Sequence, residues 1–437
     1  MSEITFVKGR RVWDSRGNPT VEVEVGLACG HIGRGIAPAG ASRGTREAID
    51  LRDGGKPLRG MDVQRALTSV QEKIAPALLG QDATDQAGID ATILALDPSP
   101  LKDVLGGNAT VATSMAVLHA AAAAARKPLW RHIADHYGQT PTLPLPEIQI
   151  FGGGAHAGRR VDIQDFMVMV PGAKTFDEVM EVTSEVYFAA GDIMKQKGRL
   201  AGVADEGGWW PIFNSNEEAL ETLTLAIEKA GEKPGDRVVV SLDVAASEFC
   251  TEGRYRLALE DRDMDADGLI DLLGTWIDSY SIASIEDPVS EDDPAGMAEF
   301  TRRFGTRVQI IGDDYLVTNA KLVTEAAAQK ACNAVLIKVN QAGTITEGVD
   351  AFKAANAAGY RSVVSARSGE TEDVTISHLA TGLGAGQLKV GSFTRSERMA
   401  KWNECLRIQD TLGRDAFVGG APLANTWWGR KNNGEQR

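Results

Sequence analysis

The sequence predicts an α/β protein in which a smaller α+β domain precedes a closed (β/α) barrel, and three observations carry that expectation. The chain has 437 residues, more than an ordinary single core holds, so two domains are expected. Its amino-terminal part reads as strands followed by helices. Beyond Pro141, Pro144 and Pro146, which divide the chain into 1–138 and 139–437, the sequence turns rhythmic.

In the first region, "PTVEVEVGL" sets Val21, Val23, Val25 and Leu27 on one face and Glu22 and Glu24 on the other, the two-residue period of a strand. The turn "ACGHIG" then predicts a hairpin. "APAGASRGTREA" follows, a loop of small residues around Ser42 that is rich enough in Gly and Ala to move. Helices are expected from Val63 and from Ala109; the alanine run "HAAAAAARKPLW" in the second suits a close-packed helix better than low complexity.

In the second region the runs "RVVVSLD", "SIASIED", "RVQIIGDD", "NAVLIKVN", "RSVVSARS" and "GQLKVG" each end in a polar or charged residue. From Asp243 to Glu286, Asp313, Lys338, Ser365 and Lys389 the steps are 43, 27, 25, 27 and 24 residues. After the first, these are the intervals of successive strand-plus-helix units, and in a barrel the functional side chains gather at the C-terminal strand ends.

Composition excludes several classes. With 60 acidic and 46 basic residues the net charge is −14, which disfavours binding to a phosphate backbone, so no nucleic-acid partner is expected. No apolar run is long enough for a membrane span or a signal peptide, so a cytoplasmic protein without a membrane partner is expected. Cys29, Cys250, Cys332 and Cys405 show no paired spacing and read as buried thiols, not as zinc ligands or a disulfide framework.

Three strand ends carry Asp243, Glu286 and Asp313. Carboxylates in one barrel mouth repel unless a hard cation lies among them, and an oxygen-only set favours magnesium; alternatively each acid caps the helix that follows. Two ends carry Lys338 and Lys389. A lysine buried beside a cation has a depressed pKa and can accept a proton, unless it pairs with a structural carboxylate or snorkels to solvent. Glu206, in "GVADEGGWWP", is a candidate general acid before two glycines that let a ligand approach. His156, in "FGGGAHAGRR", is either structural or functional, and Asp165 follows it by nine residues. Arg367 and Ser368 offer the donors that a phosphate or carboxylate wants.

Taken together, "DSRGNPTVEVEV", "HAG", "DEGG", "DVAASEF", "SIEDP", "GDD" with "VTN", "KVNQ", "RSGETED" and "RSER" resemble enolase signatures in enolase order, nearly end to end. The resemblance implies an enolase-type (β/α)8 barrel and a carbon–oxygen hydro-lyase using two Mg2+ per site, as a homodimer. It implies that Asp243, Glu286 and Asp313 hold one magnesium and that Ser42 meets the second as its loop closes. Lys338 would take the C2 proton and Lys389 would face the substrate carboxylate. Glu206 would protonate the departing hydroxyl with support from Asp165, Arg367 and Ser368 would grip the phosphoryl group, and His156 would close over the substrate.

Four places depart from that pattern. "SHRSGE" is "SARSGE", placing Ala366 where an imidazole would face the phosphoryl group. "QEF" is "QDF", so that Asp165, after Gln164, is one methylene short. "GASTG" is "GASRG", adding Arg43, and "DEGGFAP" is "DEGGWWP", with Trp209 and Trp210 expected to enlarge the wall. With ligands and lysines retained, these changes point to a small anionic substrate with an extra substituent on phosphorus. The expected substrate is a (carboxyphosphono) phosphoglycerate giving carboxyphosphonoenolpyruvate in phosphinothricin-type natural product biosynthesis. The alternatives are an ordinary glycolytic enzyme converting 2-phosphoglycerate to phosphoenolpyruvate, and a non-catalytic binding protein on the same fold.

Overall fold

A computed structural model describes residues 2–432 and 434. The chain opens with an antiparallel sheet of β1 (Ile4–Trp13), β2 (Pro19–Leu27) and β3 (Ile32–Ile36), in that order, with the expected hairpin between β2 and β3. Val21, Val23 and Val25 are wholly buried. On the other face Arg10 pairs with Glu22 and Glu24, and Arg34 reaches Glu24 at 2.8 Å. The alanine-rich helix Gly107–Ala124 lies against this sheet at backbone distance. A Cβ on Gly33 would stand 2.1 Å from the Ala116 carbonyl oxygen, and one on Gly35 would stand 2.6 Å from that of Ala112. Small residues on both elements are what permit so close an approach, and they account for the alanine run. The helix expected from Val63 begins at Gln64.

The barrel closes in the order β10-β11-β12-β13-β14-β4-β5-β6. Its strands are β4 (Leu145–Gly152), β5 (Asp165–Met169), β6 (Val239–Asp243), β10 (Ile282–Glu286), β11 (Gln309–Gly312), β12 (Ala334–Ile337), β13 (Arg361–Ser365) and β14 (Gly386–Ser392). A small meander of β7 (Cys250–Thr251), β8 (Arg254–Leu257) and β9 (Arg262–Met264) is inserted between β6 and β10. It explains why the first interval is longer than the others.

The uniform parallel alternation expected from the rhythm fails at one strand. β5 runs antiparallel to both neighbours, β4 and β6. Residues 153–164, which join β4 to β5, form only one 3₁₀ turn, Gly154–Ala157, and no crossover helix, so the chain can only return antiparallel. Reversal puts the first residue of β5 at the mouth where the other strands end: Asp165 is the register partner of Asp243. The helices between the barrel strands clothe it, and among the described residues no helix is long and apolar enough to cross a membrane. Of the four cysteines, all free, Cys332 and Cys405 are buried as expected, whereas Cys29 and Cys250 are half-buried.

Beneath the mouth the barrel interior carries a polar layer. Gln309 and Gln387 exchange amide hydrogen bonds of 2.6 and 3.0 Å, Ser284 Oγ donates to Gln309 at 3.1 Å, and Gln387 Nε2 donates to Glu147 Oε1 at 3.0 Å. Glu147 Oε2 has no partner. Burial, opposed by the charge of Lys389, pushes the Glu147 carboxyl up to about 7. Its native pKa exceeds the ordinary 4.5, so folding keeps a proton that the unfolded chain releases. Stability is therefore fully present below that ordinary value and is lost as pH rises through about 7. Glu147→Gln is expected to flatten the fall of Tm between about pH 5 and about pH 8, a difference on the order of 3 kcal/mol at the upper end; thermal unfolding across that range checks it.

Candidate active site

The barrel mouth gathers charges that arrive on separate strands. Asp243 ends β6 and Glu286 ends β10, and the Lys389 ammonium of β14 donates to both, at 2.8 and 2.9 Å. Asp165 Oδ2 is 3.5 Å from the same nitrogen. Asp313 follows β11 and Lys338 follows β12; the Lys338 ammonium donates to Asp313 Oδ2, and Gln341 Nε2 donates to Asp313 Oδ1 at 2.8 Å. Across the mouth, His156 Nε2 lies 3.8 Å from both Asp165 and Glu206, which places this histidine in the site.

One small cavity of ≈ 20 Å³ collects Ser42, His156, Gln164, Asp165, Glu206, Asp243, Lys338, Ala366, Arg367, Ser368 and Lys389. Glu286 and Asp313 sit buried behind the two lysines and do not form its surface. Gln164 Nε2 donates to Asp243 Oδ2 at 3.1 Å.

The electrostatics differ from the expectation in two respects. Burial pulls Lys338 towards the neutral amine, but the charges of Asp313 and Glu286 together prevail and the pKa is raised above the ordinary value. Lys389 is raised well above its ordinary value: burial opposes its charge, but Asp243, Glu286 and Asp165 together prevail. A carboxylate in contact is the structural pairing that the sequence left open as an alternative. Glu206, expected to be the proton donor, is held below the ordinary range, because His156, Arg398 and both lysines overcome its burial. Asp165 is pushed up to about 6 by burial, which the charges of His156 and Lys389 oppose.

Two further expectations are corrected. Arg43 is exposed and lies outside the cavity lining. Trp209 and Trp210 do not widen the wall: Trp209 turns away to stack on Tyr187 at 4.7 Å and donates through Nε1 to the Tyr187 carbonyl at 2.8 Å. Gly191 leaves the room, since a Cβ there would meet the indole at 2.5 Å.

The cluster after β13 is part ligand site and part scaffold. Arg367 and Ser368 line the cavity, whereas Glu370 pairs with Lys401 at 2.9 Å and Asp373 accepts from the Ile36 and Thr375 amides at 3.1 and 2.7 Å. The Ser42 loop is tied to this cluster. Ala39 and Gly369 exchange backbone hydrogen bonds of 2.8 Å, Ser368 Oγ accepts from the Ala41 amide at 2.6 Å, and Arg367 Nη2 donates to the Ser42 carbonyl at 3.0 Å. Glu47 completes the arrangement with a two-pronged pair to Arg367, 2.7 and 3.2 Å, and keeps its guanidinium charged despite burial.

For a metal, the donor set that Asp243, Glu286 and Asp313 offer is oxygen only. Glu286 Oε1 is buried without a hydrogen-bond partner, and burial followed by the charge of Asp243 holds that carboxyl well above the ordinary range. An unsatisfied carboxylate oxygen among acids fits a hard cation. The three are not, however, one of the sets whose ligand atoms all lie within 4.8 Å of one another; among the described residues those sets are His156, Asp165, Glu206 and Asp287, Asp313, Asp314. The lysine ammoniums stand between the predicted ligands.

Comparison with known proteins decides the family. The family model "Enolase, C-terminal TIM barrel domain" matches residues 140–426 and "Enolase, N-terminal domain" matches 4–133. The chain belongs to the enolase family. "Enolase 1" of Desulfitobacterium hafniense (strain Y51) is 48% identical over 417 residues, 95% of each chain. As an enolase family member it is a Mg2+-dependent hydro-lyase that binds a small phosphorylated substrate.

Sequence reasoning passed over Glu47, Gln149 and Gln341, which touch site residues directly. Gln149 gave a usable signal, a polar residue inside the apolar run "EIQIF". Gln341, the last residue of "KVNQ", and Glu47, in the Ser42 loop segment, stand in quoted stretches but show no role there, since their partners are distant in the chain or across the mouth. Glu47→Ala strands the buried Arg367 guanidinium and should lower stability by about 3–5 kcal/mol, whereas Arg43→Ala on the exposed loop should stay within about 0.5 kcal/mol. Urea unfolding of the two variants measures both.

Proposed function

We propose that this chain eliminates water from a 2-phosphoglycerate-type substrate whose phosphoryl group carries a further carboxylate, giving carboxyphosphonoenolpyruvate. The observation that carries the reading is Ala366. It is 6% exposed and lines the cavity beside Arg367 and Ser368, where the family pattern has an imidazole, so the phosphoryl end is roomier while its cation and hydroxyl remain. The exposed Arg43 contributes nothing to this reading.

Asp243, Glu286 and Asp313 would hold Mg2+, with Ser42 at a second ion, and bound magnesium would supply electrostatic stabilisation of the charge that develops on the substrate carboxylate. The rest of the chemistry belongs to side chains. Lys338 takes the C2 proton. Asp313, the residue that keeps Lys338 charged, is a metal ligand in this reading; with that charge engaged, burial and the neighbouring Arg367 and Lys389 cations favour the neutral amine. Lys389 faces the substrate carboxylate. The C3–O bond breaks as the C2=C3 bond forms, and the leaving hydroxyl departs as water with a proton from the Asp165–Glu206 pair, over which His156 closes. Arg367 and Ser368 hold the phosphoryl group.

The same proposal takes the protein as a cytoplasmic homodimer with two Mg2+ per site and a division at 138/139, in keeping with the spans of the two family models. Ordinary glycolytic turnover of 2-phosphoglycerate is the competing outcome.

A panel of phosphoglycerates assayed with purified enzyme separates them. Faster turnover of the carboxyphosphono compound is expected, and Ala366→His should shift preference towards 2-phosphoglycerate; rapid turnover of 2-phosphoglycerate by the wild type would overturn the reading. Lys338→Ala should lower kcat by roughly 10²–10⁴-fold. Calorimetry should detect Mg2+ binding that disappears in Asp243→Ala, and undiminished binding in that variant would contradict the ligand assignment.

A further inference from the structure

Beside the acid pair lies a side chain that the scheme above does not use. Gln149, on β4, is fully buried and engaged at both ends of its amide. Its Nε2 donates to Asp165 Oδ1 and lies 3.4 Å from Glu206 Oε2, while its Oε1 accepts the Gly208 backbone N–H at 2.9 Å. The fixed N–H of Gly208 selects the amide orientation: a flip would put the carbonyl oxygen against two carboxylates and leave that N–H unpaired. Two glycines make the space. A Cβ on Gly208 would stand 2.4 Å from Gln149 Oε1, and one on Gly152 would stand 3.0 Å from it. Below, the Gln149 carbonyl accepts from Ser392 Oγ at 2.6 Å, which ties its backbone to β14.

Asp165 opens the reversed strand β5, and Glu206 comes from the segment after the helix Phe176–Gln196. Both backbones are tied to the barrel, Asp165 by its pairing with Gly152 and Asp243, and Glu206 by the Ser392 amide at 2.9 Å, which leaves the spacing of the two carboxyls to the side chains between them. We propose that Gln149 is the positioning residue for this pair, its length matched to a short aspartate at 165, so that the two carboxyls are held as a unit facing the leaving group. The inference rests on reading Asp165 and Glu206 as the proton-delivering pair.

Length matching makes the test specific. Gln149→Asn withdraws the amide by one methylene, Asp165→Glu extends the carboxyl by one, and the double variant restores the sum. The wild type, both single variants and the double variant are compared in kcat and KM on whichever phosphoglycerate of the panel the wild type turns over. Their Tm values are measured without substrate. Gln149→Asn is expected to lower kcat by about 10–100-fold with KM within about twofold, and the double variant to recover about tenfold or more. An unchanged kcat in Gln149→Asn, or a double variant no faster than that single one, overturns the proposal. Should the wild type turn over no phosphoglycerate, the functional reading fails by itself and the thermal comparison decides. A Tm loss in the double variant smaller than the sum of the single losses supports the pairing, and losses that simply add overturn it.

Discussion

The Lys389 ammonium, held between Asp243 and Glu286 with Asp165 close by, is the interaction on which the rest of the site depends. Acids from three strands cannot share a dry barrel mouth without a compensating charge, and the barrel supplies one from a fourth strand. Lys338 does the same for Asp313. Each lysine is thereby kept charged against its burial, and each carboxylate is placed where a hard cation could replace ammonium as the compensating charge. The polar layer below, with Glu147 kept near neutrality, carries the same constraint one step deeper into the barrel.

The amino-terminal domain closes the site from above with hydrogen bonds that contribute order more than charge. Arg367 is the hub: it faces the cavity, yet its guanidinium is fixed by Glu47 and by the Ser42 carbonyl, both from the other domain. A movement of the Ser42 loop is therefore felt at once by the cation that would grip the phosphoryl group. Ala366, next in sequence, takes no part in this fastening.

Much of this was legible in the sequence because strand ends in a barrel are chemically conspicuous. A charged residue terminating an apolar run marked Asp243, Glu286, Asp313, Lys338 and Lys389, and the structure puts all five at one mouth. What escaped was set by relations that a linear reading does not carry. The reversal of β5 follows from a missing crossover helix, and only the reversal explains how Asp165 joins the others. The pKa directions of Lys338 and Glu206 are set by neighbouring charges that together outweigh burial, the one factor that the sequence did suggest. The Trp209 ring was assigned to the wall by its neighbours in sequence, but the gap above Gly191 decided its place. Gln149 and Glu47 act through partners far away in the chain.

Charge compensation by Lys389 is tested most directly by urea unfolding, in a chelating buffer, of Lys389→Met alone and of Lys389→Met combined with Glu286→Gln. The account predicts that the single change costs about 3–5 kcal/mol, because it leaves buried carboxylates without their counter-charge, and that removing one of those carboxylates as well recovers a large part of the loss. A double variant no more stable than the single one would contradict it.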